Sequence, residues 1–413
     1  MNRSDFSINL DWEHQPSPRD LLTLILAGGQ GERLHPLTKD RSKPAVPFAG
    51  SYRIIDFTLS NCLNSSLRRI YLLTQYKSQS LDRHLRNGWS IHNPELGEFI
   101  EPVPPQHRFS TNWYDGTADA VFQNIYLLQQ QKPALVVILS GDHVYRMDYR
   151  PLIRFHLEKK ARATIAALVY PRHLSSSFGI MQVDSNQEVI SFVEKPSDPP
   201  AMPGRPNESL VNMGVYVFGI ETLVRAVIED SKLDSTHDFG KDVLPALVQG
   251  GGIYAYSFMK EDGTTAYWRD IGTLESYYQA EMDFLQENPP FNLWNPNWPI
   301  RTYHPQVPPA WIAPREGQVY NSLIGSGCRI SGKVTHSVLS PSVVVGKNTQ
   351  ILDSIICNDV TIGEGARLKK AIVDKRIKIP AGFVVGEDPD ADRERFLVTE
   401  SGISVIPTGT LFD

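Results

Sequence analysis

The 413-residue sequence predicts an α/β domain built on a mostly parallel sheet, followed by a parallel β-helix. Two contrasting textures carry that prediction. From Leu21 to about Gly272, apolar strand-like runs alternate with longer polar or amphipathic segments, the pattern of strands joined by crossover helices. From about Val319 to Val385, short β-branched units recur about every six residues between glycine or polar turns, as in a coil whose turns bury one another. Between them, residues 288–317 carry prolines at 289, 290, 296, 299, 305, 308, 309 and 314 with Trp294, Trp298, Tyr303 and Trp311. So many aromatics argue for an ordered connector rather than a free tether. The expected division is an N-terminal extension over 1–20, the α/β domain over 21–287, the connector over 288–317 and the coil over 318–413.

Taken in order, the strand-like runs of the first domain are Leu21 to Ala27, Ile70 to Thr74, Ala134 to Leu139, Ala163 to Val169 and Val215 to Phe218. In sheets of this kind ligands bind beyond the carboxyl ends of the strands. Gly28 and Gly29, then Gln75, then Gly141 and Asp142 follow three of the runs, so three strand ends are expected to share one crevice. In the coil the repeating units include Leu323-Ile324-Gly325, Val343-Val344-Val345-Gly346, Val360-Thr361-Ile362-Gly363 and Val384-Val385-Gly386. A small β-sandwich is the competing reading of that region, and open coil ends favour packing against other subunits.

Bulk properties narrow the function. Hydrophobic residues at 41% and charged residues at 21% are ordinary for a chain that folds throughout. A net charge of -5, without a dense basic block, speaks against a nucleic-acid face or a membrane-surface helix. No apolar run approaches a membrane span, and the first twenty residues are too charged for a secretory signal. The three cysteines, Cys62, Cys328 and Cys357, show no CxxC spacing, which suits a reducing cytoplasm.

The segment Leu24 to Val46 sets a buried strand before a glycine-rich turn, then supplies Arg33, Arg41 and Lys43. Gly28, Gly29 and Gly31 let backbone N–H groups approach an anion, and the cations neutralise it. The loop lacks the Gly-Lys-Ser/Thr of a Walker sequence, and Leu34 stands where a dinucleotide fingerprint has its third glycine. An ordinary strand-to-helix turn is the alternative. Asp142, at the end of a buried strand, suits Mg²⁺, which takes oxygen ligands from one or two carboxylates plus substrate phosphates. Its alternative is a helix N-cap. Asp270, before Gly272, is the best second carboxylate. Residues 112–121 offer an aromatic for stacking, a glycine turn at Gly116 and small residues opening a helix, with a surface loop around a core tyrosine as the alternative. At the end of another strand, Glu194 and Lys195 are neighbours whose side chains are expected to face opposite ways and serve separate partners. Lys195 suits a phosphate and Glu194 a sugar hydroxyl, with an edge-strand charge pair as the alternative.

Together these segments resemble the nucleoside-diphosphate-sugar pyrophosphorylases, and among them the glucose-1-phosphate adenylyltransferase family. The resemblance rests on LILAGGQGERL (24–34), SKPAVPFAGSYRIIDFTLSNC (42–62), NWYDGTADAV (112–121), SGDHVY (140–145), FGIM (178–181), FVEKP (192–196), NMGVYVF (212–218), HDFGKD (237–242), YWRDIGT (267–273) and NWPIRTY (297–303). It implies a Rossmann-like nucleotidyltransferase domain, a left-handed coil, and the conversion of ATP and α-D-glucose 1-phosphate to ADP-glucose and diphosphate for glycogen or starch synthesis. It further implies Arg33 and Lys43 as catalytic residues that bind the triphosphate, and Asp142 as catalytic, with Asp142 and Asp270 holding Mg²⁺. Leu26, Ala27, Gly28, Gly29, Gln75, Tyr114, Gly116, Thr117 and Gly141 would lie at the nucleotide. Gly179, Glu194, Lys195, Asn212 and Asp270 would lie at the sugar phosphate.

Members of this family are commonly allosteric tetramers controlled by phosphorylated metabolites or nucleotides, so a homotetramer is implied, with Arg41 and Arg53 as effector contacts. Asp40 stands where the fructose-bisphosphate-activated type has lysine, Pro47 replaces a histidine and Asn212 replaces a serine. The competing functions are a pyrophosphorylase for another base or sugar, a non-catalytic regulatory subunit, and an acyltransferase using His336 of the coil.

Overall fold

The computed structural model describes residues 17–106, 113–260 and 262–412. Most of the N-terminal extension expected over 1–20, and Asn112 at the head of NWYDGTADAV, lie outside the described residues.

Nine strands form the central sheet: β1 (Leu21–Ala27), β2 (Arg69–Thr74), β3 (Phe99–Val103), β4 (Leu135–Ser140), β5 (Ala163–Pro171), β6 (Gly179–Val183), β7 (Val189–Glu194), β8 (Glu208–Gly219) and β9 (Ile253–Ser257). Along the sheet they run β7-β6-β8-β4-β1-β2-β3, with β5 paired to β8 and β9. β4, β1, β2 and β3 are parallel to one another, as are β5 and β9. β8 enters antiparallel to both β4 and β5, so the segment around Val215 to Phe218 reverses the direction of its neighbours. The apolar run of β1 lacks alternation because both faces of the sheet are covered. Leu24 packs into one core with Val136 and Ile138, while Ile25 faces the other with Val137 and Leu139. Helix Thr117–Gln123 contributes to the first core and helix Ile54–Asn64 to the second.

Because β1, β2 and β4 are parallel, their carboxyl ends share one edge of the sheet. A two-stranded antiparallel ribbon stands beyond that edge, Trp268–Asp270 against His143–Tyr145, with Asp270 opposite His143. That register brings a residue from late in the domain beside the end of β4.

Beyond the first domain the chain lies along helix Ile54–Asn64. The Trp298 indole donates to Asn61 Oδ1 at 3.1 Å, Arg301 N to Ser60 Oγ at 2.8 Å and the Thr302 hydroxyl to Asp56 at 2.6 Å. Three sheets of very short strands then wind into a parallel coil, with Arg329 paired in turn to Val344, Val344 to Thr361 and Thr361 to Lys378. Its interior is a column of Ile330, Val345, Ile362 and Ile379. The last pairing, Val398 with Ser404, is antiparallel and closes the far end of its sheet. A further core joins the two parts, with Ile54 and Phe57 packing among Phe284, Phe291, Val338 and Ile372. Among the described residues no helix is long and apolar enough to cross a membrane. All three cysteines are free and buried.

Candidate active site

The shared strand edge holds two adjoining cavities, of about 530 Å³ and about 350 Å³. Leu26, Thr117, Ser140 and Asp238 line both and so form the partition between them. The smaller cavity is lined by Leu26, Gly28, Gly29, Gln75, Tyr114, Gly116, Thr117 and Asp142. The larger is lined by Arg33, Gly179, Glu194, Lys195, Asn212 and Asp270. Ala27, Lys43 and Gly141, which were expected to touch ligands, line neither cavity. Ala27 is buried in the core. Gly141 hydrogen-bonds Leu26 O through its N–H at 3.0 Å, and a side chain there would press on Ile55. Its small size therefore serves packing beneath the site.

The glycine loop meets the smaller cavity openly. A Cβ at Gly29 would meet nothing within 4 Å, whereas Gly31 takes the left-handed φ of 67° that turns the chain back over Thr38 and Lys43. Gln75 clamps the opposite wall, accepting from Tyr114 N at 3.0 Å and donating to Tyr114 O at 3.4 Å. The Tyr114 ring is largely buried in the core and its hydroxyl accepts from Asn124, which removes it as a free stacking surface. The aromatic pair at this rim is instead Tyr76 with exposed Trp113, stacked at 5.0 Å. Gly116 is required by close approach, since a Cβ would lie 2.2 Å from His237 O. Thr117 then donates to Asp238 Oδ2 at 3.0 Å and accepts from Phe239 N at 2.9 Å, which locks the two walls together.

In the larger cavity the expected divergence of Glu194 and Lys195 does not occur. β7 ends at Glu194 and Lys195 takes a φ of 47°, so strand alternation stops between them and their charged groups pair at 3.1 Å. Lys195 nonetheless stays exposed on the cavity wall. Glu194 fits a slot that a side chain at Gly179 or Gly240 would fill, with Cβ positions 2.6 Å and 2.7 Å from its Oε2. Asn212 lies where the pairing of β8 with β5 shifts register, accepting from Gly214 N at 2.9 Å and donating to the Tyr216 hydroxyl at 2.9 Å.

Lys43 sits between the two acidic residues, with Nζ 2.6 Å from Asp142 Oδ2 and 3.1 Å from Asp270 Oδ1. Burial pulls the lysine pKa down, but the two carboxylates outweigh it and hold the ammonium above its ordinary value. Burial likewise raises Asp142, yet Lys43, His143 and a hydrogen bond from Ser140 bring it below the usual carboxylate range. His143 is lowered by burial, with Asp142 and Asp270 opposing. Asp142, His143 and Asp270 each offer a ligand atom within 4.8 Å of the others. Asp142 Oδ1 is buried without a hydrogen-bond partner among the described residues. That oxygen-rich set fits a divalent cation.

Residues 22–287 match the nucleotidyl transferase family and residues 308–406 the GlmU-like C-terminal hexapeptide family. The chain is 52% identical over 403 residues to glucose-1-phosphate adenylyltransferase 2 of Vibrio cholerae, covering 95% of this chain and 99% of that one. It is 46% identical over 395 residues to glucose-1-phosphate adenylyltransferase of Methylococcus capsulatus, covering 94% and 93% respectively. The chain belongs to the glucose-1-phosphate adenylyltransferase family. A relative from Rhodopirellula baltica with the same name is 46% identical over 410 residues, covering 96% of this chain and 92% of that one.

Two residues expected at an effector site of this adenylyltransferase family member are placed away from both cavities. Arg41 is 3% exposed and ion-paired with Asp374 of the coil, so its guanidinium is committed to joining the two parts. Arg53 donates to Ser80 Oγ at 2.9 Å; burial and the neighbouring Arg41 and Arg83 lower its pKa to about 10, against the pull of Asp56. Sequence reasoning also passed over Asp238, Ser140 and His143. The HDFGKD and SGDHVY segments that contain them were noted for resemblance, but Asp238 followed two residues later by Gly240 reads equally as a helix cap. It does cap, accepting from Gly240 N at 2.9 Å, while its other oxygen reaches Thr117.

Proposed function

We propose that this chain transfers the adenylyl group of ATP to α-D-glucose 1-phosphate, giving ADP-glucose and diphosphate for glycogen or starch synthesis. The observation that carries the reading is the paired cavity: one half walled by the glycine loop, the other by Lys195, Glu194 and Asn212, with Asp142 opening on the first and Asp270 on the second. ATP would occupy the glycine-loop half and the sugar phosphate the larger half. Bound Mg²⁺, held by Asp142 and Asp270, would supply charge neutralisation at the phosphates.

The chain's own residues have a defined task. The sugar phosphate carries nearly two negative charges near pH 7, its second pKa being about 6, so its oxygen needs no general base. Lys195 and Arg33 bind that anion in the larger cavity and aim it through the partition. The oxygen forms a bond to the α-phosphorus as the bond from that phosphorus to the bridging oxygen breaks, and diphosphate leaves with the electron pair. Holding the two substrates in line is the main source of rate acceleration. Glu194, fixed by its slot, accepts from a sugar hydroxyl. The chain is proposed to work in the cytoplasm as a homotetramer responsive to phosphorylated-metabolite or nucleotide effectors.

Diphosphate release from ATP, UTP, GTP, CTP and dTTP with glucose 1-phosphate, repeated with a panel of phosphorylated metabolites, tests the reading. Turnover with ATP is expected; a preference for another nucleotide, or no ATP-dependent release, would reject it.

A further inference from the structure

Lys43 is the one catalytic candidate that the structure withdraws from the ligand space. It is 8% exposed and belongs to the helical turn Lys43–Ala45. Gly31 and Thr38 cover it: a Cβ at Gly31 would lie 3.2 Å from Lys43 Cβ, and the Thr38 hydroxyl donates to Gly31 O at 2.8 Å. From beneath that loop the ammonium reaches Asp142 and Asp270, whose carboxylates open on different cavities. It therefore stands at the partition, on one oxygen of each of the two carboxylates that would hold a divalent ion, while Asp142 Oδ1 is left without a hydrogen-bond partner among the described residues.

We propose that Lys43 is the resident cation of this seat, keeping free divalent ions off Asp142 and Asp270 until the phosphates of an arriving nucleotide draw the ammonium away. The inference rests on the adenylyl-transfer reading for the identity of that nucleotide. Its logic is charge. Two carboxylates and an ammonium sum to one negative charge, a weak attractor for a dication that must also approach a neighbouring positive charge. The ammonium holds only one oxygen of each carboxylate, Asp142 Oδ2 and Asp270 Oδ1, so it opposes a dication by its charge rather than by using up the ligand atoms. A polyphosphate changes that balance, because it brings its own negative charge and gives the ammonium a new partner. Lysine suits the exchange, being a point charge on a flexible stem, whereas the planar fork of arginine would lock onto the carboxylates. The unloaded seat also needs a guard, since His143 beside two carboxylates makes a ligand set attractive to transition metals.

The test is binding of Mn²⁺ alone to the nucleotide-free, full-length protein, followed by electron paramagnetic resonance. Wild type is expected to show no tight site until a non-hydrolysable ATP analogue is added. Lys43→Gln is expected to bind one Mn²⁺ per chain at least tenfold more tightly than wild type without nucleotide, and to lose that site when Asp142→Asn is added. A folded Lys43→Gln protein with no gain in affinity overturns the proposal. So does a tight nucleotide-free site in wild type that Asp142→Asn abolishes, an outcome read without the lysine variant and thus independent of how it folds. Failure of adenylyl transfer itself would show in diphosphate release and leave the nucleotide-free titration unchanged.

Discussion

Gly29→Ala separates a ligand contact from a packing contact. The Cβ would enter open space beside the smaller cavity, and the residue lies outside the left-handed region, so the fold loses nothing. Removing a glycine from the unfolded ensemble favours the folded state by about 0.4–1 kcal/mol, and the melting temperature should hold or rise slightly. The catalytic effect should be large. If phosphate oxygens rest against this loop, a methyl group displaces them by about 1 Å, a misplacement that costs on the order of 100-fold in rate, or about 2.7 kcal/mol. Diphosphate release with ATP varied at saturating glucose 1-phosphate should therefore show kcat/KM for ATP reduced about 100-fold, with KM for glucose 1-phosphate changed far less. Gly116→Ala is the contrasting arm. Its Cβ would lie 2.2 Å from His237 O and 2.3 Å from Thr236 O, both backbone atoms, so the two walls must part. Overpacking of that kind costs about 1–3 kcal/mol of stability, and activity falls with it. A Gly29→Ala enzyme with an unchanged kcat/KM for ATP would refute the placement of the triphosphate on this loop.

Further outcomes follow from other parts of the molecule. Asp142→Asn should lower kcat at least about 100-fold while thermal unfolding stays cooperative; near-normal turnover would remove the metal role. Lys195→Ala should raise KM for glucose 1-phosphate about tenfold, the loss of one charge-assisted contact, without altering the melting curve, because the side chain is exposed. Asp374→Asn leaves Arg41 buried without its counter-charge and should cost about 3–5 kcal/mol in denaturant unfolding, whereas Arg41→Met with Asp374→Leu recovers most of the loss. Glu281 is raised to about 8 by burial, opposed by the hydrogen bond from Ala49 N at 2.8 Å. The folded state then holds a proton that the unfolded chain releases near pH 4.5, so the contribution is complete below that value and lost as pH rises through about 8. Stability of wild type should decline across that window by several kcal/mol, and Glu281→Gln should flatten the decline in pH-dependent melting; an unaltered slope would contradict it.

The legible parts of this molecule were those decided by short-range pattern. An apolar run without alternation, as in Leu21 to Ala27, reports a strand covered on both faces, and the observed cores divide Leu24 from Ile25 accordingly. The recurring β-branched units of the coil report stacked turns for the same reason. Strand direction was not legible. Composition around Val215 to Phe218 says that the segment is buried but not that the twelve-residue β8 runs antiparallel to β4 and β5, a matter set by the connections that bring it into the sheet. At Glu194 and Lys195 a valid rule was applied one residue too far, because alternation holds inside a strand and Lys195 lies just past its end.

The cations show the deeper limit. Sequence places Arg33, Arg41 and Lys43 within eleven residues of one another, and only the resemblance separates Arg33 and Lys43, as catalytic, from Arg41, as an effector contact. Space divides them among three environments: Arg33 on the wall of the larger cavity, Arg41 against Asp374 and Lys43 between Asp142 and Asp270. Each partner is far away in the chain, 333 residues for Arg41 and 99 and 227 for Lys43. A cation's role is set by the nearest available negative charge, and for Arg41 and Lys43 that charge belongs to the protein. The glycine loop's basic tail therefore reads as a phosphate cradle in sequence because its residues have the chemistry for one. In the folded chain, two of its three cations are already engaged, and Lys43 can meet a nucleotide only by leaving the carboxylates it holds.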